Sequence, residues 1–279
     1  MKKDNPKISV IMSVLNGELY LKKGVESIIN QTFDDWEFII CDDGSTDNTW
    51  KLLEEYAAKD SRIILIRNKN NMGLAYSLNK CIKIARSEIL ARQDADDESH
   101  LNRFEKQYPY IIKHSKYAIV GTSWNNIDED NKSWVTIPKK NPLIRDLLWD
   151  GGFMHPSWMM RKSMLERVGY YSVNKNTKRD QDYHLVLKLY GAGMKICNIA
   201  DVLYDYTNDN KTFSRTRNWR RVKGLMWIRY DGYSRNHLPF WCYIYVLKPL
   251  VKNILPEFIT KRYYLRNKRN ENIDGNWKN

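Results

Sequence analysis

The sequence predicts an α/β fold: a Rossmann-like sheet flanked by helices, followed by a basic helical extension. Three observations carry this. Four short apolar runs, rich in β-branched residues, alternate with segments of helical periodicity within the first hundred residues. The first, second and fourth of those runs each end in a polar cluster, Ser13 to Asn16, Asp42 to Asp47 and Asp94 to Asp97. The charge is also unevenly placed: of a net +13, residues 211–279 carry 16 Lys and Arg against 4 Asp and Glu, and the rest of the chain is nearly neutral.

Each element has its own reason. Residues 8–15 are a short apolar run closed by Asn16-Gly17 and read as a buried parallel strand. Residues 19–30 place Leu21, Val25, Ile28 and Ile29 at helical spacing. Residues 37–41 (EFIIC) form a second strand and run into Asp42-Asp43-Gly44-Ser45-Thr46-Asp47, whose Ser, Thr and Asp suit the start of a helix at 49–58. Residues 62–67 (RIILIR) are a third strand, 73–85 a third helix and 88–92 a fourth strand. Such a βαβαβαβ order implies a parallel sheet covered on both faces, with ligands at the carboxyl ends of its strands. Beyond Asp97 the pattern loosens into a helix at 100–114, a strand at 118–123, a polar excursion at 124–137 and a loop leading into a strand at 151–161. A helix at 183–190 follows the acidic pair Asp180 and Asp182, and residues 217–230 are basic and helical. Residues 237–255 are aromatic and aliphatic, broken by Pro239 and Pro249, with Pro256 just beyond.

With 42% hydrophobic and 28% charged residues, the chain is expected to be folded rather than disordered. Cys41, Cys81, Cys197 and Cys242 form no CxxC pair, which speaks against disulfides and a zinc site and for a reducing compartment. The two lysines before the first apolar run superficially suggest a signal peptide, but the run is short, carries serines and lacks a small-residue cleavage site. No stretch reaches the ~20 apolar residues that span a bilayer, so a cytoplasmic protein is expected.

Asp94-x-Asp96 supplies two carboxylates on one turn at a strand end, the oxygen chemistry that a hard divalent cation bridging phosphates needs. Alone it is also what an ordinary acidic turn looks like. Its context is more specific. SVIMSVLNGELYLKKGVESIINQTFDDWEFIICDDGSTDNT, NNMGLAYSLNKCI and ARQDADD together resemble the family 2 glycosyltransferases of the GT-A fold, over roughly residues 7–205. The resemblance implies a nucleotide-binding GT-A sheet and an inverting transferase that takes a sugar from a nucleotide-sugar, UDP being the expected carrier. Mn²⁺ or Mg²⁺ is the expected metal.

Roles follow at matching positions. Ser13 and Asn16 are expected to line the nucleotide pocket, and Asp43 to contact uracil and ribose. Ser45 and Asp47 are expected only to start the following helix. Asn71 and Gly73 match an N-x-G element beside the nucleoside, or make a simple helix-start turn. Arg92 is placed to reach phosphate, or to pair with Asp94 or Asp97. Asp94 and Asp96 match the metal–diphosphate motif, and His155 of His155-Pro156-Ser157 is a further candidate for metal or donor phosphate, or a loop residue. In Arg179-Asp180-Gln181-Asp182 the catalytic base aligns with Asp182, although Gln181 replaces the usual Glu and Asp180 is an alternative. Trp158 and Tyr183 are candidates for its apolar cover.

The expected organisation is a catalytic domain over 1–210, with a nucleotide-sugar half at 1–98 and an acceptor half at 99–210, and a basic aromatic extension at 211–279. Interfacial aromatics beside Lys248 and Lys252 suit an anionic membrane surface, as a lipid-linked or glycan acceptor would require, or a helix packed on the catalytic domain. Nucleic acid would also attract a basic tail, but no helix-turn-helix, RNP or zinc pattern is present. A nucleotidyltransferase would carry a Gly-rich turn after strand one, where SVLNGE stands instead. A catalytically dead scaffold has no reason to keep Asp43, Asp94, Asp96 and Asp182 together.

Overall fold

A computed structural model of the chain describes residues 5–128, 130–149, 153–208 and 218–255. The boundary expected at 210/211, Gly151, Gly152, Arg217, and Pro256 with the rest of the extension lie outside the described residues.

The first half forms as its periodicity dictates. Strands β1 (Ile8–Val14), β2 (Trp36–Asp42), β3 (Ile63–Arg67) and β4 (Ile89–Arg92) alternate with helices α1 (Leu21–Ile29), α2 (Thr49–Lys59) and α3 (Leu74–Ile84). β1 pairs in parallel with both β2 and β4, and β2 with β3. Alternate residues of each strand then face opposite ways. Val10, Met12, Phe38 and Ile40 pack with Leu21, Val25, Ile28 and Leu53 of α1 and α2. Ile11, Ile39 and Cys41 pack with Leu78, Cys81 and Ile82 of α3 on the other face. One buried polar group crosses these layers. Glu37 accepts from Ser9 Oγ at 2.6 Å and from Arg86 Nε at 2.7 Å, tying β1 and β2 to the approach of β4.

The second half makes the sheet mixed instead of wholly parallel. Its elements are β5 (Glu98–Ser99), α4 (Arg103–Lys113), β6 (Tyr117–Asp128), β7 (Ser133–Thr136), α5 (Asp146–Trp149), β8 (Met159–Arg161), α6 (Lys162–Arg167), α7 (Gln181–Gly191) and β9 (Lys195–Asn208). The strand order is β3-β2-β1-β4-β8-β6-β9-β5, with β7 pairing β6. β8 runs antiparallel to β4 and β6, while β9 runs parallel to β6 with register shifts. The polar excursion expected at 124–137 is the end of β6 and its hairpin partner β7. Asn131 turns that hairpin at φ 58, and Asp128 Oδ1 accepts from Asp130 and Lys132 N–H.

The described part of the extension packs on the body of the protein. Helix α8 (Trp219–Arg235) lies against α7; a 3₁₀ segment (Phe240–Leu247) and helix α9 (Lys248–Ile254) follow it. His184 Nε2 meets Asp231 Oδ2 at 2.9 Å, and Asn236 Nδ2 donates to Leu187 O at 2.9 Å. Buried Arg229 donates to the Leu148 and Tyr245 carbonyls and to the Tyr233 hydroxyl. Gly232 is what allows the approach, since a Cβ there would sit 2.4 Å from Leu187 Cδ1 and 2.9 Å from Leu187 Cβ. Gly232→Val is therefore expected to lower stability by about 1–3 kcal/mol through overpacking. Urea unfolding checks this, and an unchanged midpoint would mean that α8 does not depend on this seat.

Candidate active site

The three strands that end in polar clusters are neighbours in the sheet, in the order β2-β1-β4. Their loops therefore meet at one carboxyl edge. Asn16, at φ 51, is stitched across that edge: its N–H donates to Ser45 Oγ at 2.9 Å and its Oδ1 accepts from Thr46 N–H at 2.9 Å. Asp47 accepts from the Thr49 N–H and hydroxyl at the start of α2 and from Glu18 N–H. Asp47 thus meets the start of α2 as expected, whereas Ser45 Oγ bonds to Asn16 and not to the helix. Half-buried Ser13 sits on β1 opposite Cys41.

Asp43 is the anchor of this corner. Its Oδ1 accepts from Asn68 Nδ2 at 2.8 Å, Met72 N–H at 2.9 Å and Ser77 Oγ at 3.0 Å, and its Oδ2 from Gly73 N–H at 2.8 Å. The 68–77 segment is folded around one carboxylate. Gly73, at φ 93, makes the turn into α3 that aims its N–H at Asp43. Oδ2 keeps room for one further donor. Asn71 lines an open cavity of about 520 Å³ beside Asp43, with Gly44, Ser45, Thr46, Arg67 and Asn68.

The turn after β4 gathers Asp94, Asp96 and Asp97, whose carboxylate oxygens lie within 4.8 Å of one another. Burial, then the charge of Asp94, pushes the Asp96 carboxyl up; burial and both neighbours push Asp97 well up. Asp97 was not singled out from the sequence, yet it is buried and its Oδ2 has no hydrogen-bond partner. Such a group of oxygens, under mutual repulsion and with one oxygen unsatisfied, fits a hard divalent cation.

The scaffold under this turn is polar and fully buried. Arg92 Nη2 lies 2.6 Å from Asp94 Oδ1. Burial alone would lower the Arg92 guanidinium, but the Asp94 charge outweighs it and holds it above its ordinary value. Gln93 Nε2 donates to the Asp94 and Asp97 carbonyls, and its Oε1 accepts from Ser99 Oγ at 2.6 Å. Arg103 braces all of this by donating to the Arg92 and Trp158 carbonyls and to Ser99 Oγ. Burial without a paired carboxylate drops Arg103 to about 10. Asp94 N–H donates to the Tyr204 hydroxyl, 3.2 Å away on β9. Gln93, Arg103 and Tyr204 carry no local motif, and only a buried polar run around Asp94 hints at the first.

Asp182 stands in the first turn of α7. Burial of its carboxyl raises it to about 6, with the neighbouring Asp180 charge adding and Arg92 opposing. Asp180 is engaged otherwise: Arg221 of α8 donates to its Oδ1 at 2.8 Å and its Oδ2 at 3.3 Å. Burial raises the Tyr171 hydroxyl, with Arg92 opposing and the charges of Asp182 and Asp94 adding. This hydroxyl meets His155 Nε2 at 2.7 Å. His155 is buried edge-on to Trp158, and burial and Arg92 push it well below its ordinary range. It lies outside the Asp94–Asp96–Asp97 group. Tyr183 donates its hydroxyl to Leu147 O.

Comparison with known proteins gives a consistent outcome. The family description "Glycosyl transferase family 2" matches residues 9–169. The protein EpsE of Bacillus subtilis, named as a glycosyltransferase, is 36% identical over 95% of this chain and 96% of its own. The O-antigen biosynthesis glycosyltransferase WbnJ of Escherichia coli is 29% identical over 75% of this chain and 82% of its own. The crystal structure of residues 1–349 of S. aureus TarS in complex with UDP superposes with a TM-score of 0.61 at 19% identity, covering 96% of this chain and 88% of that one.

Gly24 of α1 sets how closely that helix approaches the acidic turn. A Cβ there would lie 2.6 Å from Ala95 O and 2.9 Å from Asp94 O, both backbone atoms that cannot swing aside. Gly24→Ala is expected to cost about 1–3 kcal/mol in urea unfolding. An unchanged urea midpoint in Gly24→Ala would show that the turn does not need this seat.

Proposed function

The chain belongs to glycosyl transferase family 2 and is a glycosyltransferase, and from that premise we propose that it moves a sugar from UDP to a hydroxyl of a glycan or lipid-linked acceptor, with inversion. Polysaccharide or glycolipid assembly is the setting this reading favours, as the name of the O-antigen relative suggests. Residues 1–98 would hold the donor, 99–210 the acceptor, and 211–279 would face the membrane. The observation that carries the reading is the acidic turn at the carboxyl edge of the sheet, where Asp94, Asp96 and Asp97 offer oxygens within 4.8 Å of one another. Buried Arg92 pairs with Asp94 there at 2.6 Å.

In this reading Asp43 Oδ2 takes the remaining donor, from the uracil or ribose, and Ser13, Asn16, Asn71 and Gly73 line the nucleoside. Asp94, Asp96 and Asp97 would hold Mn²⁺ or Mg²⁺, which neutralises the diphosphate leaving group. Arg92 holds Asp94 in place. His155 serves as a neutral partner of Tyr171, its Nε2 already engaged. Asp182 accepts the acceptor hydroxyl's proton as that oxygen bonds to the anomeric carbon. The bond from that carbon to the diphosphate breaks on the opposite side, and the nucleotide leaves with the electron pair. A base raised to about 6 is ionised at neutral pH yet still basic enough to help. Asp180, bidentate with Arg221, is the poorer candidate.

Asp182→Asn is expected to keep the rise in melting temperature that UDP gives in the presence of Mn²⁺, and to lose transfer by about 10²-fold or more. In the unsubstituted enzyme, kcat/KM should climb as pH rises through about 6 and level off above, because only the ionised carboxylate accepts a proton. An active Asp182→Asn enzyme would move the base to another residue.

The extension suits the inner face of a membrane. No described helix is long and apolar enough to cross one. Yet Phe240, Trp241, Ile244, Leu247, Val251 and Ile254 are exposed at spacings of one to four residues, with Phe240 84% and Ile244 69% accessible. Lys248 and Lys252 lie among them in a strongly basic segment, which matches an anionic leaflet. The chain should sediment with vesicles containing phosphatidylglycerol and much less with purely zwitterionic ones. Phe240→Glu with Ile244→Glu should abolish this; retained binding would place the contact elsewhere.

A further inference from the structure

A cavity of about 660 Å³ opens between the start of α3, residues 172–178 and the first turn of α8. Lys175, Lys178, Arg220 and Lys223 line it, and among the described residues no carboxylate does. None of the four is ion-paired with another described residue. Arg220 and Lys223 stand in or next to the first turn of α8, which has no acidic side chain. All four side chains are exposed and reachable by a ligand, and cations at a helix N-terminus oppose the helix dipole, an opposition that a bound anion would relieve.

The cavity wall is built, not incidental. Gly224 brings α8 against the loop, since a Cβ there would sit 2.5 Å from Asn176 O. Thr177 is buried and donates to Ser172 O at 2.6 Å, so the loop carrying Lys175 and Lys178 is held from inside.

Its position also relates it to the reaction. Lys178 precedes Asp182 by four residues, a reach of at most about 14 Å. Arg221, beside Arg220, holds Asp180 at 2.8 Å. The nucleoside corner adjoins on the other side, through Met72 and Gly73. A phosphate on the first sugar of an acceptor lies about one sugar ring from that sugar's hydroxyls, within this span. From the cavity, α8 leads to the 3₁₀ segment that bears exposed Phe240 and Trp241.

We propose that this cavity binds the phosphate of a lipid-linked glycosyl phosphate acceptor, so that the acceptor hydroxyl is set at Asp182 while the lipid lies on the exposed apolar side chains of the extension. The proposal rests on the transferase reading above. It differs from the donor site in charge and place: the donor phosphates are assigned to the acidic turn after β4, whereas the charged side chains lining this cavity are all cationic and Lys178 lies four residues before the base.

The test uses the full chain without metal or nucleotide, titrated with a short-chain isoprenyl phosphate and, separately, with inorganic phosphate. Isoprenyl phosphate should bind, and Lys175→Ala with Lys223→Ala should weaken it roughly tenfold or more, as the loss of charge-assisted hydrogen bonds implies. UDP affinity in Mn²⁺ should stay the same in that variant. Equal isoprenyl phosphate affinity in variant and parent would overturn the assignment. So would a fall in the variant's UDP affinity, which would give these cations to the donor. Inorganic phosphate binding as tightly as isoprenyl phosphate would overturn the lipid source. A uronic acid polymer that binds through these lysines where isoprenyl phosphate does not would overturn it in favour of an anionic glycan. A parent chain that binds isoprenyl phosphate but no UDP in Mn²⁺ would sink the transferase reading and leave the cavity standing.

Discussion

Three carboxylates cannot be held together on one turn unless something beneath them resists their repulsion. Two unit charges about 5 Å apart repel by roughly 3 kcal/mol at an effective dielectric near 20. Here the oxygens of Asp94, Asp96 and Asp97 lie within 4.8 Å. The answer is a buried cationic and amide scaffold. Arg92 pairs with Asp94, Gln93 ties down the carbonyls of Asp94 and Asp97, and Arg103 joins Arg92, Ser99 and the Trp158 carbonyl. Burying a guanidinium is itself unfavourable, which is why Arg103 is surrounded by carbonyl and side-chain acceptors. The turn is thereby bolted to β4, the strand at which the parallel half of the sheet meets the antiparallel β8.

The remaining acidic residues show how one residue type serves different ends. Asp43 spends its oxygens on four donors from its own neighbourhood, so it builds a loop. Asp180 is neutralised by a guanidinium from α8. Asp182, two residues on, is raised by burial to about 6. Environment, not spacing, separates them.

The extension is part of this arrangement. α8 supplies Arg221 to Asp180 and packs Asp231 on His184, so the basic segment is joined to the wall of the site. What it leaves outward is apolar at one end and cationic at the other. A packed helix and a membrane-facing segment were opposed readings of the sequence. In the folded chain one face packs and the other is free to meet a partner.

By itself the sequence determined the first four strands and three helices, because strands buried on both faces read as unbroken apolar runs and the helices between them keep their period. It also marked Asp94 and Asp96, a carboxylate pair on one turn at a strand end, whereas Asp43 and Asp182 were marked by their match to the family 2 pattern. β9 left no such trace: KICNIADVLYDYTN mixes polar and apolar residues along a strand that is partly exposed and irregularly registered on β6. β5 is only two residues long. Tertiary structure alone decided that Tyr204 meets Asp94 and Arg221 meets Asp180, because each arrives from a distant element and bears no local motif. It also decided that Asp97 belongs with the other two carboxylates. Burial is a property of the packed chain, and burial is what turned a common acidic turn and a common acidic pair into groups with different chemistry.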